Sequence, residues 1–160
     1  MFKTTDEMEK RMKIAGVDIQ QSAMVHGFCG IFAIALHDKL GCEIRKLVDA
    51  YGLVHAYGII KNPYGTLYLD ARGWTRHEEL LLDEFHELCD IPEDDDFVGM
   101  PEYGYGYGRV EDIDRNGIDE FRQELRNSLT ADEYNDIYAQ SIKIVEEWNF
   151  PTAIKEFCAY

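Results

Sequence analysis

Hydrophobic spacing divides the chain into segments of different period. Residues 4 to 15, TTDEMEKRMKIA, predict a short helix with Thr4 or Thr5 as its cap and Gly16 as its stop, followed by an extended stretch over 17 to 25. After Gly27-Phe28-Cys29-Gly30 comes IFAIALHDKL, apolar on nearly every face until His37. That is the pattern of a helix buried in the middle of a domain, and Gly41 ends it. Between Glu43 and Asp70 the pattern becomes strand-like: EIRKLVDAYG, LVHAYGIIKN and TLYLDARG read as strands, with Asn62-Pro63-Tyr64-Gly65 turning between the last two. Thr75 and Glu78 form a capping box that starts a helix running to about Cys89, with Leu80, Leu81, Phe85 and Leu88 as its apolar side. Residues 92 to 108 carry turn formers and acids without periodicity and read as a long surface loop.

Only helices are expected after that loop. Asn116 begins NGIDEFRQELRNSL, and Thr130 with Glu133 caps TADEYNDIYAQSIKIVEEW, where Tyr134, Ile137, Tyr138, Ile142 and Val145 recur at helical spacing. Pro151 opens a short terminal helix. No internal repeat is present, and YGYGYG is the one low-complexity patch. A length of 160 residues, 46% hydrophobic and 29% charged, fits a single globular α+β domain. Residues 27–73 would form its core and 75–160 a mainly helical cover.

Charge narrows the range of partners. Sixteen Lys and Arg against 31 Asp and Glu give a net charge of -15, which repels phosphate backbones and makes direct nucleic-acid binding an unfavourable reading. No apolar run approaches the roughly 20 residues of a membrane helix, and the N-terminus is mixed in charge, so a cytoplasmic protein without membrane attachment is expected. The four cysteines, Cys29, Cys42, Cys89 and Cys158, are far apart and form no CxxC pair, which predicts free thiols.

One of these thiols is placed for chemistry. A cysteine in the first turn of a buried helix meets unpaired backbone N–H groups and the positive end of the helix dipole, which stabilise negative charge on sulfur and can hold an oxyanion. Gly27 and Gly30 flank Cys29 and would let a substrate backbone come close. A thiol nucleophile needs a base and a group that orients the base. His55 lies in LVHAYGII, and Asp70 ends the return strand TLYLD. Residues equidistant from about position 63 face each other across the hairpin, which sets Asp70 beside His55. The sulfur is expected near the His55 ring, with a concave opening beside it.

Cysteine at a helix start, HAY in a strand, a glycine-containing hairpin and LD at the end of the return strand resemble the core of the transglutaminase-like superfamily and the arylamine N-acetyltransferases, both papain-like in arrangement. GFCGIFAIAL is similar to the cysteine helix of papain-like peptidases. The resemblance covers residues 27 to 73. It departs from those families in a short Cys29 to His55 interval and in lacking a glutamine at the usual oxyanion position, where Ala23 stands and Gln21 lies too far upstream. It implies a papain-like α+β fold and a catalytic set of Cys29 as nucleophile, His55 as base and Asp70 as orienting acid. It further implies acyl or amide transfer or hydrolysis through a Cys29 thioester, on a peptide, amide or acyl substrate and with no cofactor. The rival reading is a non-enzymatic acidic interaction protein that mimics nucleic acid and occupies a basic protein partner.

Other residues carry weaker signals. Asp112, Asp114, Asn116 and Gly117 resemble the start of a calcium loop, but Gln123 stands where a bidentate glutamate is needed, and a capped helix start explains the same letters. His86 and Cys89 are at i, i+3 on one helix with His77, without further ligands in register, so no metal is expected. His26 is an alternative base, whereas His37 points away from the thiol. Tyr103, Tyr105 and Tyr107 alternate with glycines in a loop that is either simply exposed or a substrate cover.

Overall fold

Eight consecutive residues, Cys29 to Leu36, are buried, as an all-round apolar helix requires. They begin α1 (Cys29–Leu40), which Gly41 ends in the left-handed region at φ 74°, its N–H donating to the His37 carbonyl at 2.9 Å. The computed structural model describes residues 27–49, 51–63, 65–86, 89 and 108–150. The helix expected over 4–15, the loop over 92–107 with its tyrosines, and the helix after Pro151 lie outside the described residues.

After α1 the chain forms β1 (Glu43–Asp49), β2 (Gly52–Asn62), β3 (Gly65–Asp70), β4 (Gly73–Thr75), α2 (Glu78–His86), β5 (Arg109–Ile113), α3 (Gly117–Asn127) and α4 (Ala131–Glu147). The architecture is α+β. One antiparallel sheet in the order β4-β3-β2-β1-β5 carries the helices. Among the described residues no helix is long and apolar enough to cross a membrane.

The three strands expected before Asp70 form, and Asn62 pairs with Gly65 to close the β2–β3 hairpin. Two strands were not anticipated. Gly73-Trp74-Thr75 folds back on β3, and Arg109–Ile113 pairs with β1 from Val48↔Arg109 to Ile44↔Ile113. The expectation of helices alone after the loop is therefore corrected. RVEDI is short and carries three charges, as edge strands do, and β1 supplies the hydrogen-bonding partners that its own pattern does not announce.

Side chains alternate along β2: Ala56 and Gly58 meet α1, while His55 and Tyr57 meet α2. Gly58 leaves the space that Leu36 fills, since a Cβ there would stand 3.1 Å from Leu36 Cδ1. Phe32 of α1 packs on Trp148, which meets Trp74 edge-on at 5.4 Å. Gly30 has a packing role rather than the substrate-facing one expected. It is buried, and a Cβ would stand 2.8 Å from Leu125 Cδ2 and 3.2 Å from Phe121 Cζ, so its bare backbone lets α3 approach α1.

The Thr75–Glu78 capping box does not form. Thr75 belongs to β4 and accepts from the His77 N–H, and Glu78 takes hydrogen bonds from Arg45 and the Tyr57 hydroxyl, each at 2.6 Å. A charge-assisted bond to a guanidinium outweighs one to a backbone N–H. On the same helix Leu81, Leu82 and Phe85 are buried, but Leu80 is 52% exposed; Leu88 lies outside the described residues.

The second box does form. Thr130 Oγ1 accepts from the Glu133 N–H at 3.1 Å while the Glu133 carboxylate accepts from the Thr130 N–H at 3.2 Å, and Tyr134, Ile137, Ile144 and Val145 are buried behind it. Thr130→Ala is expected to lower stability by about 1 kcal/mol. The readout is a lower urea midpoint with unchanged slope.

Candidate active site

Cys29 is the first residue of α1. Its preceding residue, Phe28, supplies no side-chain cap, and the first turn contains no acid, so neither competes with the backbone N–H groups beside the sulfur. Gly27 is exposed, with open space where a Cβ would stand.

His55 sits in the middle of β2 and is fully buried. A bulge between Leu47 and Val48 places Leu47 opposite His55 and Val48 opposite Leu53, leaving Val54 as the extra residue. The β2–β3 register ends at Gly58↔Leu69, so Asp70 comes one step beyond it, diagonal to His55 rather than directly across. The expected contact is nonetheless made: His55 Nε2–H donates to Asp70 Oδ2 at 3.0 Å, with both groups buried. The other ring nitrogen, Nδ1, is buried and has no partner at full hydrogen-bonding geometry among the described residues. Cys29 stands within polar reach of the same ring.

These neighbours set the charge state of the ring. Burial works against imidazolium, but the Asp70 hydrogen bond, the Cys29 thiol and the Asp70 charge outweigh it and raise His55 to about 9. For Asp70, burial works against the carboxylate, yet the His55 hydrogen bond and the Arg72 guanidinium hold it at about 2. Both shifts favour an imidazolium bonded to a carboxylate.

Two residues that sequence reasoning did not assign to this site complete it. Phe85 of α2 stacks on His55, with ring centroids 3.8 Å apart and planes 9° apart. Arg72 clasps Asp70: its backbone N–H donates to Oδ1 at 2.8 Å, and Nη2 donates to Oδ2 at 2.6 Å. An acid and an arginine two residues apart where a strand ends was the available signal for Arg72. For Phe85 the helical spacing predicted burial but not what it would cover.

The remaining candidates fall elsewhere. His37 Nδ1–H donates to the Cys42 carbonyl at 2.7 Å, at the far end of α1, and His26 lies outside the described residues. Asp112 pairs with Arg45, and Asp114 Oδ1 accepts from the Gly117 N–H at 2.7 Å, which starts α3 without an Asn116 side-chain cap. Cys89 donates its thiol to the Phe85 carbonyl, and the side chain of His86 is outside the described residues. Burial pushes the Cys42 thiol up to about 12.

The expected opening beside the sulfur is not met among the described residues. Cys29, His55 and Asp70 keep 5%, 0% and 2% of their surface. The concavities bordered by Lys46, Glu111, Phe121 and Glu124 contain none of the three. Comparison with protein-family models, with curated proteins and with solved structures gives no match for this chain.

Proposed function

We propose that the protein is a cysteine-dependent acyl or amide enzyme of papain-like or transglutaminase-like type, with Cys29 as nucleophile, His55 as base and Asp70 as orienting acid. The observation that carries this reading is the buried His55–Asp70 hydrogen bond at 3.0 Å, in a ring whose other nitrogen is buried without a partner at hydrogen-bonding geometry among the described residues and has the thiol at the start of α1 within polar reach. Helix first, then hairpin, in chain order is also the arrangement the resemblance implies.

The chemistry follows from these placements. The proton shared by Cys29 and His55 rests on His55 Nδ1 as Sγ attacks the acyl carbon. The carbonyl electron pair moves onto oxygen, which the uncapped N–H groups of α1 stabilise. The pair then re-forms the carbonyl, the bond to the leaving amine or alcohol breaks, and that group departs with the proton from His55, leaving a thioester. Water or a second amine loses a proton to His55 and attacks the thioester. Collapse releases the acid or new amide and returns sulfur to its pairing with the His55 proton. Asp70 holds Nε2–H throughout, so that Nδ1 is the nitrogen facing the thiol chemistry. Because the three residues are buried, substrate reaches sulfur when neighbouring side chains give way.

Labelling with iodoacetamide at neutral pH tests this reading. Cys29 is expected to react roughly tenfold or more ahead of Cys42, whose thiol is held protonated, and to lose that lead in His55→Ala. A small activated ester should leave its acyl group on Cys29, detectable by mass spectrometry, and not on the protein carrying Cys29→Ala. Equal, slow labelling of the cysteines removes the enzyme reading. Salt-sensitive binding to a basic protein, unaffected by Cys29→Ala, would instead favour the acidic interaction protein that the charge of -15 suggests.

A further inference from the structure

The Asp70 carboxylate is held by more than the histidine it faces. Arg72 is 7% exposed and donates to it from its backbone N–H, from Nε to both oxygens at 3.2 Å, and from Nη2 to Oδ2. The same Nη2 donates to the Leu81 carbonyl of α2 at 2.8 Å. The guanidinium lies over the Phe85 ring at 5.2 Å, and Phe85 in turn stacks on His55. From this geometry we infer that Arg72 is a positioning residue: it locks the Asp70 carboxylate in the rotation that presents Oδ2 to His55 Nε2, and so fixes the ring with Nδ1 toward Cys29. The inference rests on the reading of Cys29 and His55 as nucleophile and base.

The physical need is specific. The terminal torsion of an aspartate is broad, and one hydrogen bond from a histidine does not fix it. A planar guanidinium reaching both oxygens does, which a lysine ammonium cannot reproduce. Sharing Oδ2 with His55 has a second consequence, because part of the carboxylate charge is compensated by Arg72 and is not available to the imidazolium. Among the described residues, the charged or titratable groups around the ring are Asp70 from β3, Arg72 from the turn after it, Cys29 from α1 and Tyr57 from β2, with Glu78 of α2 bonded to the Tyr57 hydroxyl.

The test follows the His55 ring by NMR across its titration in the full-length protein, in Arg72→Met and in Arg72→Lys, alongside the labelling lead of Cys29 over Cys42. In Arg72→Met the midpoint is expected to rise by about half a unit or more, because Asp70 is relieved of its guanidinium, and the lead is expected to fall roughly tenfold. Arg72→Lys should bring the midpoint back toward the wild-type value while recovering the lead only in part. An undiminished labelling lead in folded Arg72→Met, whatever the melting temperature does, overturns the inference, since a merely structural arginine would change stability alone. If Arg72→Met does not fold, the wild-type protein still decides. The Arg72 Nε–H should exchange slowly and shift in step with His55, and a rapidly exchanging or uncoupled signal overturns the inference. A wild-type Cys29 with no labelling lead defeats the enzyme reading instead, and the His55 midpoint then still reports whether Arg72 controls the pair.

Discussion

Asp70→Asn is expected to destabilise the fold by roughly 3 to 5 kcal/mol and to slow alkylation of Cys29 by an order of magnitude or more. An aspartate that only oriented a histidine would lose that effect in Asp70→Asn with little change in stability. The structure sets one carboxylate against both the imidazole and a buried guanidinium. It accepts from His55 Nε2 and from Arg72 at both oxygens, and it is 2% exposed. The amide removes the counter-charge of a buried guanidinium and aims an NH2 at donors, where two acceptor oxygens had stood. A loss of that size lowers the melting temperature of a domain this long by roughly 6 to 20 °C. A lower midpoint therefore does not argue against a catalytic role. The control is a variant of similar stability loss away from the pair. Ile144→Ala, in α4 and fully buried, should cost about 2 to 5 kcal/mol and leave the Cys29 rate as in wild type at temperatures where both proteins are folded. If Asp70→Asn labels at the rate of Ile144→Ala, the orienting role is wrong.

The second large effect is on stability against pH. His55 is raised from its ordinary 6.5 to about 9, so its pairing stabilises the folded state fully below 6.5 and is lost as pH rises through 9. The rise corresponds to on the order of 3 kcal/mol. Asp70 has the opposite sign: held at about 2, it contributes fully above the ordinary carboxylate value of 3.8 and loses that contribution as pH falls through 2. Many of the 31 acids titrate together on the acid side, which makes the alkaline limb the cleaner measurement. Melting followed from pH 6 to pH 9.5 is expected to decline more steeply in wild type than in His55→Gln. Parallel curves would mean that His55 is not held as an imidazolium by Asp70.

The order of the main elements was legible in the sequence because each has a local cause. An all-round apolar run ended by glycine makes α1 whatever surrounds it, two-residue alternation around Asn62-Pro63-Tyr64-Gly65 makes the hairpin, and reciprocal Thr130–Glu133 bonds start α4. Those elements also carry Cys29, His55 and Asp70, so the juxtaposition of His55 and Asp70 was readable from hairpin spacing alone. What only the tertiary structure decided were choices between partners far apart in sequence. Glu78 abandons its own helix cap because β1 and β2 bring Arg45 and Tyr57 within 2.6 Å, and RVEDI becomes a strand because β1 has a free edge. Gly30 serves α3 because that helix crosses α1 there, and Arg72 with Phe85 joins the site because α2 folds back over β3 and β4. Local spacing determines which backbone bonds a segment makes within itself. Which of several distant donors wins a buried acceptor depends on competing desolvation and charge, and those terms exist only once the segments have met.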